Sequence, residues 1–292
     1  MDSVLGIVGG SGLYDLPGLH NARWERIDSA WGEVSDDILF AEIDGLPIRF
    51  LPRHGLAPSE INYRANIDAL KRTGVTDLVS FSACGSLDER LAPGHFVLVD
   101  QFIDQTRDRP RSFFGNGCVA HVSMAEPVSP TLAGYVQQAL EREAVAHTRG
   151  GTYVVIEGPQ FSSRAESLLY RSWGCHVIGM TNMPEARLAR EAELSYTTVA
   201  MVTDYDCWRE NHAAVDVESV LAVMKDNTSR AQVVIQGLAA VFPRRHPPCS
   251  VGSDRALEGA IVTPPGHRDL ELMQRLDTIT GRVLGESLEN ND

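Results

Sequence analysis

Short apolar runs bounded by glycine alternate with stretches of helical periodicity along most of this chain, and no other feature restricts its fold as strongly. Such runs are typical of strands, and strands that alternate with helices predict βαβ units around a mixed or parallel sheet. We therefore expect an α/β fold with a central mixed β-sheet flanked by helices. The predicted strands are Val4–Val8, Pro47–Leu51, Asp77–Ser82, His95–Phe102, Thr152–Ile156, Cys175–Gly179 and Leu194–Val202.

Helices are predicted between several of these strands from their start signals as well as from their period. A serine just before the first helical residue caps free backbone N–H groups, and proline is tolerated at the first helical position. A glutamate three residues after such a serine adds a reciprocal capping contact. Two predicted helices cover Glu60–Arg72 and Val217–Val241. Three others start at Pro130 behind Ser129, after Ser163 with Glu166 as its capping partner, and near Pro184.

The composition changes after Phe242, where a proline-rich stretch has the character of a linker. We expect residues 1–243 to form the main domain and residues 244–292 to form a linker and a C-terminal extension. Apolar residues at helical spacing in Arg268–Leu284 predict one amphipathic helix there. The sequence leaves open whether its apolar side packs on this core, packs on a neighbouring subunit, or frays.

Charge and cysteine content limit the partners and the compartment. The 292 residues, 43% of them apolar, suffice for one sizeable core, and the net charge of −13 disfavours nucleic acid and anionic membranes. The five cysteines are widely spaced without a CxxC pair, so neither a zinc site nor a disulfide framework is indicated. No segment approaches the roughly 20 apolar residues of a membrane span. We expect a cytoplasmic protein with reduced thiols that is not exported.

Two carboxylates, Asp204 and Asp206, follow the last predicted strand in the stretch VTDYDCW. Ligands of α/β sheets bind at the carboxyl ends of the strands. Acids two residues apart in an extended segment point the same way, and together they can donate one hydrogen bond and accept another. The edge of a 6-aminopurine requires that combination. The alternative is an Asx-turn with a second, solvated acid.

Three earlier strand ends carry groups suited to an anion. A glycine-rich stretch around Ser11 lets the backbone approach an anion, although it matches neither a dinucleotide fingerprint nor a P-loop. Arg53 and His54 follow the second predicted strand, and Ser82 and Ala83 follow the third. The alternatives are a tight turn, a surface ion pair for the arginine, a structural histidine, and a capping serine.

Later loops add candidates for an organic ligand. Met180 and Thr181 follow a strand, where a turn into the next helix is the alternative interpretation. Phe161 and Ser162 lie in a loop, where the aromatic ring either stacks on a planar base or covers a helix end from within the core. His121 lies in an irregular region and by itself favours a structural role.

Nine motifs occur in one order and together resemble a known family. They are GIVGGSGL, RHG, NYRANIDALK, SACGSL, DQFIDQT, HVSMAEP, IEGPQFSSRAES, MTNMPEARLAREA and MVTDYDCW, within residues 5–208. In this order they resemble the trimeric purine nucleoside phosphorylase superfamily and, within it, the 5′-methylthioadenosine phosphorylases, over roughly residues 4–240. The resemblance implies a single-domain phosphorylase fold and a pentosyltransferase that transfers a ribosyl group from a purine to inorganic phosphate. It implies no metal or organic cofactor.

The resemblance also assigns roles to residues. The catalytic residues would be Asp204, which donates to purine N7, and Asp206, which binds the 6-amino group together with Ser162. Phosphate would bind to Ser11, Arg53, His54, Ser82, the Ala83 amide and Thr181. Met180 would lie along the ribose, Phe161 beside the base, and Val217 and Val220 at the 5′ substituent, while His121 would reach the substrate of an adjacent subunit in a homotrimer. Association of two trimers is the further possibility.

Three departures from the family limit what the resemblance implies, and the third of them leaves the 5′ substituent open. Serine replaces threonine at Ser11, the loop between Gly55 and Pro58 is short, and the C-terminal extension does not align with the family. The favoured substrate is 5′-methylthioadenosine. The alternatives are a 5′-fluoro- or 5′-chloro-5′-deoxyadenosine, a general purine nucleoside, and, from another class, a nucleoside-binding module without turnover.

Overall fold

The computed structural model describes residues 1–10, 16–53, 57–209 and 217–288, with backbone alone at 217–220 and 286–288. Its strands are β1 (Leu5–Gly9), β2 (His20–Glu25), β3 (Ile38–Ile43), β4 (Leu46–Pro52), β5 (Asp77–Ser86), β6 (Phe96–Leu98), β7 (Gln101–Gln105), β8 (His147–Arg149), β9 (Thr152–Ile156), β10 (Val177–Gly179) and β11 (Ser195–Asp204). Its α-helices are α1 (Tyr63–Arg72), α2 (Pro130–Arg142), α3 (Arg164–Ser172), α4 (Asn182–Glu191), α5 (Val217–Val241), α6 (Leu270–Arg275) and α7 (Asp277–Leu288).

The strands form one mixed sheet, and the expected α/β fold is confirmed. The main path runs β2-β3-β4-β1-β5-β10-β9-β7. Off this path, β11 pairs with both β5 and β6, and β6 also pairs with β8. Strand β5 is parallel to β1 and β11 and antiparallel to β10. It is therefore the point at which the sheet branches, and the carboxyl ends of β1, β4, β5 and β11 meet on one side of that point.

Helices cover both faces of the sheet. On one face, α1 packs on α4 and α7, and the core there includes Leu70, Leu188 and Ile279. On the other face, α2 packs on α5, with Val136 and Leu238 in a second core. Among the described residues, no helix combines the length and the apolar character that a membrane span requires.

The predicted helix starts occur where the capping signals stand. The Ser129 side chain accepts from the backbone N–H of Leu132 at 3.2 Å, and Pro130 occupies the first turn of α2. Ser163 and Glu166 form both contacts of a capping box before α3. Each contact satisfies a donor that the first helical turn leaves free, so local chemistry fixes these boundaries.

Strand predictions differ from the structure where tertiary context decides. The predicted strand His95–Phe102 is divided into β6 and β7, and β5 continues past Ser82 to Ser86. Strand β9 has the predicted bounds. The unpredicted strands are β2, β3 and β8. Strand β2 lies at a sheet edge, is mostly exposed and carries few apolar residues, so the sequence contains little sign of it.

The C-terminal segment packs against the core and contains two α-helices, whereas the sequence predicted one. The helices α6 and α7 are separated at Leu276, which is fully buried. Arg282 of α7 donates from Nε and Nη2 to the two carboxylate oxygens of Glu193, each at 2.7 Å. His246 of the connecting segment lies 2.7 Å from Asp77 at the start of β5.

The same segment also holds a distant loop by backbone hydrogen bonds. Val262 N–H donates to Val119 O at 2.9 Å, and His121 N–H donates to Ala260 O at 2.9 Å. Asp269 N–H donates to the loop at Gly117 O at 2.9 Å. The loop that carries His121 is thus bordered by the C-terminal segment.

Removing the Leu276 side chain tests whether this segment stabilises the fold. We expect Leu276→Ala to lower the free energy of unfolding by about 2–5 kcal/mol, since truncation of a buried leucine loses packing and leaves a cavity. Leu270→Ala is the matched control because that side chain is 80% exposed. Urea denaturation measures both, and equal stability of the two variants would show that the segment does not stabilise the core.

Candidate active site

A cavity of about 250 Å³ opens where the carboxyl ends of the central strands meet. Its walls come from β5, β11, the turn after β10 and the loop after β9. Met224 of α5 closes part of it. The predicted residues that line it are Ser82, Ala83, Phe161, Ser162, Met180, Thr181, Asp204 and Asp206.

Asp204 ends β11 and faces the cavity with its carboxyl group held from two sides. Oδ1 accepts from the backbone N–H of Asp206 at 2.8 Å, and Oδ2 accepts from the Thr203 hydroxyl at 2.7 Å. The first contact is the Asx-type bond of the alternative interpretation, so the turn and the cavity position occur together. Burial raises the pKa of Asp204 against these two hydrogen bonds, which favours the protonated, donating form.

Asp206 follows in a left-handed backbone conformation, with φ of 42°. An extended segment would not place it here; the turn at Tyr205 brings its side chain beside that of Asp204. Ser167 of α3, which is fully buried, donates its hydroxyl proton to Asp206 Oδ2. Burial raises the pKa of Asp206, and the Ser167 hydrogen bond opposes that shift. This role of Ser167 was not predicted, because in the sequence the residue is an ordinary helical serine.

Gly85 provides the space for both acids. A Cβ atom at this position would lie 3.1 Å from Asp204 Oδ1 and 3.4 Å from Asp206 Cβ. The bulge in the pairing of β11 with β5 falls at the same place, between Val202 and Asp204. Strand β5 therefore passes directly beneath the acidic end of the cavity.

Hydroxyl groups form a second end of the cavity. Ser82 Oγ lies 3.0 Å from Thr181 Oγ1, and both residues are buried. Ser82 precedes Gly85 on the same strand by three residues, which corresponds to about 10 Å at roughly 3.3 Å per residue. The cavity thus offers hydroxyls at one end and carboxyls at the other, at a separation suited to an elongated ligand.

Arg53 lies beneath the hydroxyl end and is buried, unlike the surface ion pair of the alternative interpretation. Its Nη1 donates to Glu185 Oε2 at 2.6 Å and to Ser80 Oγ at 2.8 Å, and Nη2 donates to Phe81 O at 3.0 Å. Burial alone would lower the pKa of Arg53, but the Glu185 carboxylate raises it, so the guanidinium stays charged. Within the described chain its buried Nε has no hydrogen-bond partner.

Four predicted residues lie outside the described side chains: Ser11, His54, Val217 and Val220. The positions next to the first two are described. Arg53 N–H donates to Gly9 O at 2.8 Å, which joins the ends of β4 and β1. The ends of β1 and β4, which precede the predicted phosphate-binding residues Ser11 and His54 in sequence, therefore lie side by side.

The loop after β9 presents Phe161 and Ser162 to the cavity. Phe161 is 55% exposed, so it does not belong to the core as the alternative interpretation had it. Ser162 Oγ is buried, and no described residue bonds to it. Its backbone carbonyl accepts from the Cys207 thiol at 3.1 Å, which ties the loop to the turn that carries Asp206.

Arg109 joins two walls of the cavity and was not predicted from the sequence. Its Nη1 donates to Met180 O and to Met183 O at 2.7 Å, and its Nη2 donates to Glu157 O at 2.6 Å. Its Nε donates to Glu157 Oε1 at 2.8 Å. Burial would raise the pKa of Glu157, but hydrogen bonds from Arg107 N–H and from Arg109 lower it. A single buried guanidinium thereby fixes the loop after β9 against the turn after β10.

His121 does not line this cavity. It is exposed, in the loop that the C-terminal segment borders. In the part of the chain that the structure describes, no group of three or more His, Cys, Asp or Glu side chains is arranged to hold a metal ion.

Comparison with known proteins identifies the family. The sequence model described as Phosphorylase superfamily matches residues 4–240. The chain belongs to this superfamily. The resemblance drawn from the nine motifs is thus confirmed, and its span agrees with the matched residues. A relative named S-methyl-5′-thioadenosine phosphorylase, from Bradyrhizobium diazoefficiens, is 59% identical over 286 residues, covering 97% of this chain and 98% of that protein.

Solved structures of this superfamily have the same architecture. A methylthioadenosine phosphorylase sourced from an antarctic soil metagenomic library superposes with a TM-score of 0.89 at 45% identity, covering 96% of this chain and 99% of that one. The methylthioadenosine phosphorylase from Schistosoma mansoni in complex with adenine gives a TM-score of 0.82 at 31% identity, covering 91% and 99%. The phosphorylase fold therefore extends over nearly the whole chain, including most of the C-terminal segment.

Proposed function

We propose that this phosphorylase cleaves 5′-methylthioadenosine with inorganic phosphate to give adenine and 5-methylthioribose 1-phosphate. The observation that carries the proposal is the cavity itself, in which two carboxyls face one end of a ligand and buried hydroxyls face the other. The high identity to a relative named for this substrate supports the choice of nucleoside. Phosphate oxygen bonds to C1′, the bond from C1′ to N9 breaks, and its electron pair leaves with the purine.

The acidic end recognises and activates the base. As negative charge builds on the departing purine, a protonated Asp204 donates to N7 and makes the base a better leaving group. Its raised pKa favours that form. Asp206, oriented by Ser167, accepts from the 6-amino group. Ser162 Oγ, which no described residue engages, completes recognition of that group, and Phe161 lies against the face of the base.

The hydroxyl end binds phosphate. Ser82, Thr181 and the Ala83 amide surround it. We also assign to it Ser11 and His54, which follow β1 and β4 in sequence, and the guanidinium of Arg53, which is paired with Glu185. Bound phosphate is the nucleophile, and its charge stabilises the positive ribosyl ring that develops as the glycosidic bond loosens.

The 5′ substituent lies toward α5. Met224 contributes an apolar wall there, and we assign Val217 and Val220, earlier in the same helix, to the same pocket. Met180 lies along the ribose. An apolar pocket favours methylthio or halogen over hydroxyl because burial of a hydroxyl without a partner is unfavourable.

The reaction uses no metal or organic cofactor, since phosphate and Asp204 provide the nucleophile and the proton. We place the enzyme in the cytoplasm. The five cysteines are all free, which suits a reducing compartment. Recovery of the active protein from an extracellular or periplasmic fraction would contradict this location.

Adenine release tests the proposed reaction directly. With 5′-methylthioadenosine we expect adenine and a sugar 1-phosphate in equal amounts, only when phosphate is present, and at an unchanged rate with a metal chelator. Chromatography of both products measures this. Adenine release without phosphate would indicate hydrolysis instead, and tight nucleoside binding without turnover would indicate a binding module.

A panel of 5′ variants at one phosphate concentration identifies the substituent. We expect the highest kcat/KM for the methylthio compound. Faster turnover of the fluoro or chloro compounds would instead assign the enzyme to halogenated nucleosides. Comparable rates with adenosine and inosine would indicate a general purine nucleoside phosphorylase.

Asp204→Asn tests the role at the base. We expect kcat on 5′-methylthioadenosine to fall by about 10²-fold or more, the range of a lost general acid. In the native enzyme the protonated carboxyl is present below its raised pKa, so activity falls as pH rises through that pKa, and the variant lacks this dependence. Unchanged rates on both 6-amino and 6-oxo nucleosides would show that Asp204 does not contact the base.

We further propose that the active form is a homotrimer in which His121 reaches the 5′ end of a neighbour's substrate. Leu169 of α3 and Trp173, which caps the end of that helix, are 47% and 44% exposed, and Val119 and Val262 beside His121 are also exposed. Exposed apolar groups of this kind are typical of association surfaces. Association of two trimers is a further form that the same measurements detect.

Subunit mixing tests the trimer and His121 together. Light scattering is expected to give three times the 32.0 kDa chain mass. His121→Ala and Asp204→Asn subunits should each be impaired, yet dissociated and reassembled mixtures should regain activity, since some sites then combine an intact Asp204 with a neighbour's intact His121. A monomeric mass, or mixtures no more active than the mean of the two variants, would contradict the arrangement.

A further inference from the structure

A fully buried tyrosine lies behind the hydroxyl end of the cavity. Tyr153, on β9, does not line the cavity, but its hydroxyl oxygen is 3.1 Å from Ser82 Oγ. Ser82 Oγ is in turn 3.0 Å from Thr181 Oγ1. The three hydroxyls therefore form a chain that begins in the core and ends at the cavity wall.

The direction of the first hydrogen bond follows from burial. Ser82 Oγ is the partner of the Tyr153 hydroxyl among the described residues, and a buried phenol that donates to nothing is unfavourable. Burial also raises the pKa of Tyr153, so the phenol keeps its proton. Tyr153 thus donates, and Ser82 accepts.

Either hydroxyl can donate in the second bond, and the acceptors within reach of the Ser82 proton indicate the direction. With its oxygen accepting from the phenol, Ser82 has one proton to donate. Thr181 Oγ1 lies at 3.0 Å, whereas the alternative acceptor, Ala83 O, lies at 3.4 Å. The shorter contact is the stronger one. Ser82 therefore donates to Thr181.

Thr181 is left with a proton for a ligand. It occupies the N-cap position of α4, but its side chain makes no capping hydrogen bond there. Its oxygen accepts from Ser82, so its proton is directed to an acceptor in the cavity. An anionic oxygen, which only accepts hydrogen bonds, matches this arrangement.

We propose that Tyr153 is a positioning residue that orders the protons of Ser82 and Thr181, so that Thr181 donates to the phosphate oxygen. The inference rests on the proposed phosphorolysis and adds to it a group that never touches the substrate. It predicts a role in phosphate binding that the nucleoside does not share.

Packing fixes the phenol oxygen in place. A Cβ atom at Gly179 would lie 1.9 Å from it, so no other residue fits at the end of β10 while the tyrosine keeps this position. The ring itself packs on Phe102, with centroids 6.0 Å apart. The substitution Tyr153→Phe would keep that packing and remove only the oxygen.

Steady-state kinetics of Tyr153→Phe tests the proposal. We expect KM for phosphate to rise about three- to tenfold, the effect of one misdirected hydrogen bond to a charged group, with KM for the nucleoside within about twofold of the native value. Tyr135→Phe is the matched control, since its half-buried ring packs on Phe242 in the opposite core. It should change neither constant.

Two results with the single variant would overturn the proposal. One is an unchanged KM for phosphate in the Tyr153→Phe enzyme; the other is an equal rise in both constants, which a general structural defect would cause. In a Ser82→Ala background the series of hydroxyl hydrogen bonds is already interrupted. Tyr153→Phe should then change KM for phosphate by less than about twofold further. Independent, multiplicative effects would also count against the ordered chain.

Phosphate binding measured by calorimetry separates this inference from the proposed reaction. If the native protein shows no phosphate-dependent turnover, the proposed reaction fails. Weaker phosphate binding by Tyr153→Phe than by the native protein still supports the ordered hydroxyls in that case. Equal phosphate binding by the two proteins overturns the proposed order of the hydroxyls, whether or not the native protein turns over substrate.

Discussion

The backbone pairing of β5 is the constraint on which the site depends. This strand bonds to β1, β10 and β11, so its path cannot shift without breaking the sheet at its branch point. Ser82 and Gly85 lie on the same stretch of it. The hydroxyl end and the acidic end of the cavity are therefore spaced by the regular rise of one strand, and neither depends on a free loop for its position.

Buried polar contacts hold the irregular segments of the site in place. Arg109 connects the loop after β9 to the turn after β10, and Ser167 holds Asp206 from a neighbouring helix. Each of these groups is buried, so the loss of one of its hydrogen bonds would leave an unpaired polar group away from water, which is unfavourable. The site thus combines one strand, β5, that is fixed by the sheet with loops and turns that are held by a few polar contacts.

The sequence predicted the fold class, the capped helix starts and the strand ends that meet at the cavity, because these depend on local patterns and on the general topology of α/β sheets. It did not predict β2, a polar edge strand, or the break at Leu276, which depends on the core that surrounds it. In the site, motifs indicated eight of the residues that line the cavity. Tyr153, Ser167 and Arg109 were missed because their roles arise from contacts between segments distant in sequence.

The backbone bonds between the C-terminal segment and the loop carrying His121 bear on how such chains diverge. Main-chain contacts tolerate changes of side chain but not of length or path, so the two segments can vary in composition while remaining tied in geometry. Insertions or deletions near residue 262 should accordingly be accompanied by changes around Val119. Within the superfamily the two segments would then change as a pair, although one of them lies outside the matched region 4–240.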